Sequence, residues 1–163
     1  MKDIVYGEKI KLDETDKRII EALYSDGRMP VSKISRKTGI RRDIIVYRLK
    51  RMIENDIISF IMPILNPPKL GFPNLNAVNI NIQNFDKKAE EEFVAYLKAH
   101  KNIIYFAVLS GKWDYNLIIA SKSPEHFNEI FKGIRARFSD FIKEFEVFTI
   151  IKEPKYESMQ GLL

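Results

Sequence analysis

Thr38-Gly39-Ile40 separates two short helical patterns, and that break restricts what the first third of the chain can fold into more than any bulk property. The segment from Arg28 to Ile58 reads RMPVSKISRKTGIRRDIIVYRLKRMIENDII. Its second pattern opens on Arg41 and Arg42 and places Ile45, Leu49, Met52 and Ile53 at i, i+4, i+7 and i+8, a single apolar stripe. Pro30 suits a first helical turn, where its missing N–H would lack a partner anyway. Gly39 can take the positive φ that follows a C-cap and so allows a tight turn. Two helices joined in this way make a helix-turn-helix. Between Arg28 and Arg51 nine basic residues stand against one acid, Asp43, whereas residues 66–163 carry 13 basic and 12 acidic groups. Positive charge concentrated on a second helix implies double-stranded DNA as the partner.

On a wheel anchored by Ile45, Leu49 and Met52, the residues Asp43, Tyr47 and Lys50 point away from the core, with Arg48 and Arg51 flanking them. A helix laid in the major groove presents its outward face and N-terminal end to base edges. The candidate DNA contacts are therefore Arg41, Arg42, Tyr47, Arg48 and Lys50. Arginine binds phosphate as readily as guanine, so the pattern leaves the base readout open. Tyr47 has an equally good alternative role, packing on the N-terminal arm.

Upstream, residues 1–12 alternate without helical period, as an arm or small strand would. A helix start follows, with Asp13 as N-cap, Glu14 and Asp16 in the first turn, and Ile19, Ile20 and Leu23 on the buried face. Downstream, Ile57–Met62 is β-rich and short enough for a wing strand or hairpin edge. The stretch from Asn66 to Pro73 is rich in proline and glycine and breaks both periodicities. The expected organisation is a winged helix-turn-helix over 1–62, a hinge over 63–75, an α/β unit over 76–152 and a tail over 153–163.

The second half alternates. Asn76–Gln83 has period two, Asp86 caps a helix bearing Ala89, Phe93, Tyr96 and Leu97, and Ile103–Leu109 and Asp114–Ala120 make a hairpin around Ser110–Trp113. Ser123-Pro124 then opens a helix bearing Phe127, Ile130, Phe131, Ile134 and Phe138, and Phe145–Ile151 closes the unit as a strand. The order β-α-β-β-α-β is the ferredoxin-like split unit, so the fold class is α+β. Four strands covered by helices on one side leave the other side open. Apolar residues on both sides of Ile103–Leu109 make that exposure costly, which predicts a homodimer, with tetramer or octamer as further assembly.

Several function classes drop out. The chain has no cysteine and two histidines, His100 and His126, which share no metal-ligand spacing, and neither a Gly-rich phosphate loop nor a nucleophile elbow occurs. No catalytic residue, metal or cofactor is expected. No apolar run reaches the ~18 residues of a membrane span, and the N-terminus lacks the apolar core of a signal peptide, so the expected location is cytoplasmic.

The motifs LDETDKRIIEALYSDGR, KISRKTGI, VYRLKRMIENDII, ILNPPKLG and SGKWDYNLIIAS, in this order from Leu12 onward, resemble the Lrp/AsnC (feast/famine) transcription regulators. The resemblance implies a dimeric or higher DNA-binding regulator, with an amino-acid effector held between dimers at Gly111 and Asp114. Glycine would let backbone N–H groups approach an α-carboxylate, and Asp114 could receive the α-ammonium. Lys112 and Trp113 complete that loop and are large enough to occlude it. A bare Gly-x-x-Asp hairpin would more simply make and cap a turn. Two departures from the family pattern stand out: arginine where a small hydroxyl residue is usual at 41 or 42, and Asp56 where glycine is usual. Related sirohaem decarboxylases share the fold but carry histidine and arginine where this chain has Ile104-Tyr105-Phe106 and Asp114-Tyr115-Asn116, so an enzyme is disfavoured. A protein-binding effector module is the other alternative, separated from DNA binding by its flat salt response.

Overall fold

The computed structural model describes residue 7, residues 9–155 and residues 158–162, so the expected arm over 1–12 lies partly outside the described residues. The chain divides into two compact units, one built from the residues up to Ile64 together with those from Lys155 onward, the other Leu65–Pro154.

The first unit is helical. α1 (Glu14–Ser25) starts in a capping box: the Asp16 N–H donates to the Asp13 carboxylate at 2.9 Å, and the Asp13 N–H donates to the Asp16 carboxylate at 3.2 Å. α2 (Val31–Thr38) ends at Gly39, whose φ of 70° is the left-handed cap expected there. The Gly39 N–H donates to the Ser35 carbonyl, and the Ser35 hydroxyl donates to the Ile40 carbonyl at 2.7 Å, closing the turn. α3 (Arg42–Glu54) follows. Ile19, Ala22, Met29, Ile34, Ile45 and Met52 form the core between the three helices. Each large member, fully withdrawn from water, contributes roughly 1.5–3 kcal/mol.

Two expectations fail here. Ile53 is not part of the buried stripe but is 53% exposed, because α1 and α2 cover only the narrow arc of α3 centred on Ile45 and Met52. The wing strand over Ile57–Met62 does not form, and among the described residues no strand lies between Glu54 and the 3-10 turn at Pro67–Leu70. The Ile57 and Ile58 N–H groups both donate to the Met52 carbonyl, at 2.9 and 3.1 Å, and so close the end of α3. A β-rich run becomes a strand only where a neighbour supplies ladder bonds. Asp56 takes a φ of 56°, which accounts for the residue usually found there being glycine. In the tail, the Met159 N–H donates to the Tyr24 hydroxyl at 3.1 Å, so part of that segment is anchored.

The second unit runs β1 (Asn74–Ile82), α4 (Lys87–Ala99), β2 (Ile103–Val108), β3 (Tyr115–Ser121), α5 (Pro124–Arg137) and β4 (Ile142–Thr149). Asp86 and Ser123 cap the helices, accepting from the Ala89 and His126 N–H groups at 3.0 and 3.2 Å. The sheet is antiparallel with order β2-β3-β1-β4, the split β-α-β-β-α-β arrangement. β4 starts at Ile142, three residues before the expected Phe145, because it pairs with β1 from Ile82 onward. Val78, Ile80, Tyr115, Leu117 and Ile119 face the helices and pack on Phe93, Leu97, Phe127, Phe131 and Ile134. The Phe93 ring meets Tyr115, Phe138 and Phe141 at 5.3, 5.0 and 5.3 Å. By alternation, the opposite face carries Tyr105, Ala77, Asn79, Asn116, Ile118 and Phe148. No helix among the described residues is long and apolar enough to cross a membrane.

Candidate functional site

α3 is placed by its inward residues. With Ile45 and Met52 fully buried, helical geometry turns Tyr47 and Lys50 outward, and Tyr47 is 65% exposed. Arg41 and Arg42 stand exposed at the N-terminal end, where the helix presents unpaired N–H groups and the positive end of its dipole. Arg41 donates twice to the Asp43 carboxylate, at 3.2 and 2.8 Å, and so is oriented along the helix mouth. Arg42 has no ion-pair partner among the described residues. Lys50 lies 3.7 Å from Glu54, one turn on. Lys33, Arg36 and Lys37 are exposed on α2, so the cationic surface extends beyond α3.

Arg48 does not join this surface. Its guanidinium donates to the Asp13 carboxylate at 2.6 Å and reaches Asp16 at 3.3 Å. Arg51 donates to the same Asp16, which is wholly buried. Both arginines therefore face their own scaffold and tie α3 to the first turn of α1. The Arg48 guanidinium and the Asp16 N–H hold the Asp13 carboxyl below the usual carboxylate range, the backbone bond contributing most. The sequence carried a usable signal: Asp13 and Asp16 are three apart on one helix, Arg48 and Arg51 three apart on another, so each pair shares a face. Reading the aspartates only as helix caps missed it.

The other candidate cluster sits on the β2–β3 hairpin. Gly111, with a φ of 153°, lies in the region that favours glycine. The Lys112 ammonium sits 4.8 Å from the centre of the Trp113 ring. One oxygen of Asp114 accepts from the Ile82 N–H at 2.8 Å, while its backbone N–H donates to the Ile80 carbonyl at 3.0 Å. Asp114 thus closes the end of the β1 ladder and does not cap its own hairpin turn through its carboxylate, whose second oxygen has no hydrogen bond to the described residues. Beside it, the buried Tyr115 hydroxyl donates to Glu90 at 2.7 Å, and burial pushes that phenol upward. His100 is lowered by burial, and the His126 ring accepts from the Lys122 N–H at 3.1 Å. No group of three or more His, Cys, Asp or Glu residues suited to a metal occurs among the described residues.

Comparison with known proteins assigns both units. Residues 12–53 match the model of the AsnC-type helix-turn-helix domain, and residues 77–160 match that of the Lrp/AsnC ligand binding domain. The HTH-type transcriptional regulator FL11 of Pyrococcus abyssi is 32% identical over 74% of this chain and 78% of its own length. The proline dehydrogenase transcriptional activator of Rhizobium radiobacter is 29% identical over 73% of this chain and 76% of its own length. Among solved structures, a transcriptional regulator of Neisseria meningitidis in complex with L-Met matches at 20% identity and a TM-score of 0.82, covering 94% of this chain and all of that one. An AsnC family regulator of Agrobacterium tumefaciens matches at 19% identity and the same TM-score, covering 93% of this chain and all of that one.

Proposed function

The chain belongs to the Lrp/AsnC family of transcription regulators, and from that premise we propose that α3 enters the DNA major groove with Arg41, Arg42, Tyr47 and Lys50 as its contacts. The observation that carries this is the division of α3 into a buried side, Ile45 and Met52, and an outward side bearing Tyr47 and Lys50 behind an arginine pair. Lys33, Arg36 and Lys37 on α2 neutralise backbone phosphates, while Arg48 holds the reading helix in position and takes no phosphate. The open sheet face, on which Tyr105 and Phe148 remain nearly half exposed, pairs with a second copy and sets two reading helices at a fixed spacing. The operator is then an inverted repeat with half-sites about one helical turn, or a multiple, apart.

The hairpin at Gly111, Lys112, Trp113 and Asp114 takes an amino-acid effector, its α-carboxylate on backbone N–H groups near Gly111 and its α-ammonium on the second oxygen of Asp114. The Neisseria regulator solved with L-Met supports this reading of the unit. The effector acts by favouring one assembly state over another. The relatives named are transcription regulators, which points away from catalysis, and a DNA-binding role without a membrane-crossing helix fits the cytoplasm.

Genomic footprinting with and without a pool of amino acids tests the scheme, followed by salt titration on a bound site. Arg42→Ala should reduce the slope of log affinity against log salt by about 1. Arg48→Ala should leave that slope unchanged while lowering the melting temperature. A footprint without two-fold symmetry, or a slope insensitive to Arg42, would overturn the arrangement.

A further inference from the structure

α5 packs across β3 and β1, and α4 packs on β2, which leaves the helix-side face of the edge strand β4 only partly covered beyond Ile142. Phe145 and Val147 show the gap: their register partners Ile80 and Val78 are fully buried, yet each of the two is 37% exposed. With Phe131 they floor an open groove of about 770 Å³ between α5 and β4. Its rim is cationic, with Lys132 and Arg135 on α5 and Lys143 on β4. No carboxylate lines it. Glu144 and Glu146, the acids nearest in sequence on β4, alternate onto the other face of the sheet, where Glu144 accepts from Asn81 at 3.2 Å. None of the three cations has an ion-pair partner among the described residues. The Arg135 guanidinium lies 4.5 Å from the centre of the Phe145 ring, so its charge sits over the aromatic floor.

Three uncompensated cations around an aromatic floor repel one another, and an anion with an apolar body relieves that repulsion while covering the rings. The volume lies within the ~300–1,000 Å³ of small-molecule sites. An amino acid fits poorly, because its α-ammonium would meet three positive charges and no acceptor carboxylate. We infer that this groove binds an apolar monocarboxylate lacking an α-ammonium group, such as an aryl-substituted or branched carboxylic or 2-oxo acid. It lies at the opposite edge of the sheet from β2 and does not depend on the hairpin reading above.

The test is calorimetric titration of the full chain with 3-phenylpropionate and with L-phenylalanine, which differ only in the α-ammonium. Saturable binding of 3-phenylpropionate, weakened about tenfold in Arg135→Ala and again in Lys143→Ala, is expected from the loss of one charge-assisted hydrogen bond each. Phe145→Ala should weaken it as well, by removing the floor. Fluorescence of Trp113 verifies that each variant keeps its fold. L-Phenylalanine competing equally for the same site would overturn the inference, as would affinity for 3-phenylpropionate unchanged in Arg135→Ala. So would the absence of binding together with a fall in assembly mass in Phe145→Glu, which would make the groove an interface between copies of this chain.

Discussion

The helical unit closes around six buried apolar residues with one small aliphatic cluster, whereas the sheet unit closes around thirteen, six of them aromatic. The sheet unit is held by the edge-to-face rings of Tyr115 and Phe138 about Phe93, with Phe141 tilted against it. The helical unit supplements its smaller core with ions: Asp16, fully excluded from water, receives both Arg48 and Arg51 across the α1–α3 contact. A small core supplies little stability and little orientation, and a hydrogen-bonded charge cluster fixes a helix angle that aliphatic contacts alone leave loose. The difference also concerns function. Two of the cations that make the sequence look most avid for DNA are engaged in holding the helix that would carry the others.

The contrast can be broken experimentally because Trp113, the one tryptophan, lies in the sheet unit, so its fluorescence follows that unit while far-UV circular dichroism follows both. The largest effect is expected from Phe93→Ala, which should cost about 3–5 kcal/mol and move the tryptophan unfolding transition to lower urea. Asp16→Ala should cost about 2 kcal/mol, less than a fully buried pair because both guanidinia reach water. Its loss should be seen as early melting of helical signal with the tryptophan transition in place, and a shift of both together would show the two units to be one cooperative block. Asp56→Gly should stabilise the helical unit by about 1 kcal/mol, since a non-glycine residue there sits at positive φ, and a lower melting temperature would count against that account. The smallest effect concerns pH. The folded Asp13 carboxyl titrates below its unfolded value, so its contribution is present above the unfolded pKa and is lost as pH falls through the folded one. Melting of the helical unit should therefore drop in strong acid more than that of the sheet unit, and Asp13→Asn should remove part of that excess.

Much of this architecture is legible in the residue order. Gly39 announces the left-handed turn, Asp86 and Ser123 announce their helices, and Ala77/Asn79/Asn81 against Val78/Ile80/Ile82 announces which side of β1 meets the core. These are local matters, fixed by backbone sterics, capping and side-chain period. The candidate sites were less legible. The helical wheel sets Lys50 outward and Arg48 only on the flank, and it is the position of Asp13 and Asp16 at the start of a neighbouring helix that turns Arg48 inward. Ile57–Met62 has strand composition and no strand, because composition cannot supply a pairing neighbour. The α5–β4 groove was invisible too, since it exists only where one helix stops short of covering an edge strand.

The sequence by itself therefore determined the helix-turn-helix, the split β-α-β-β-α-β order and the family, all of which rest on contacts or patterns within a few residues along the chain. The tertiary structure decided which charges face outward, which edge of the sheet stays bare and what Asp114 is bonded to. Those outcomes depend on groups tens of residues apart being brought within a few ångströms, where Coulomb attraction and desolvation act on distance in space and ignore distance in sequence.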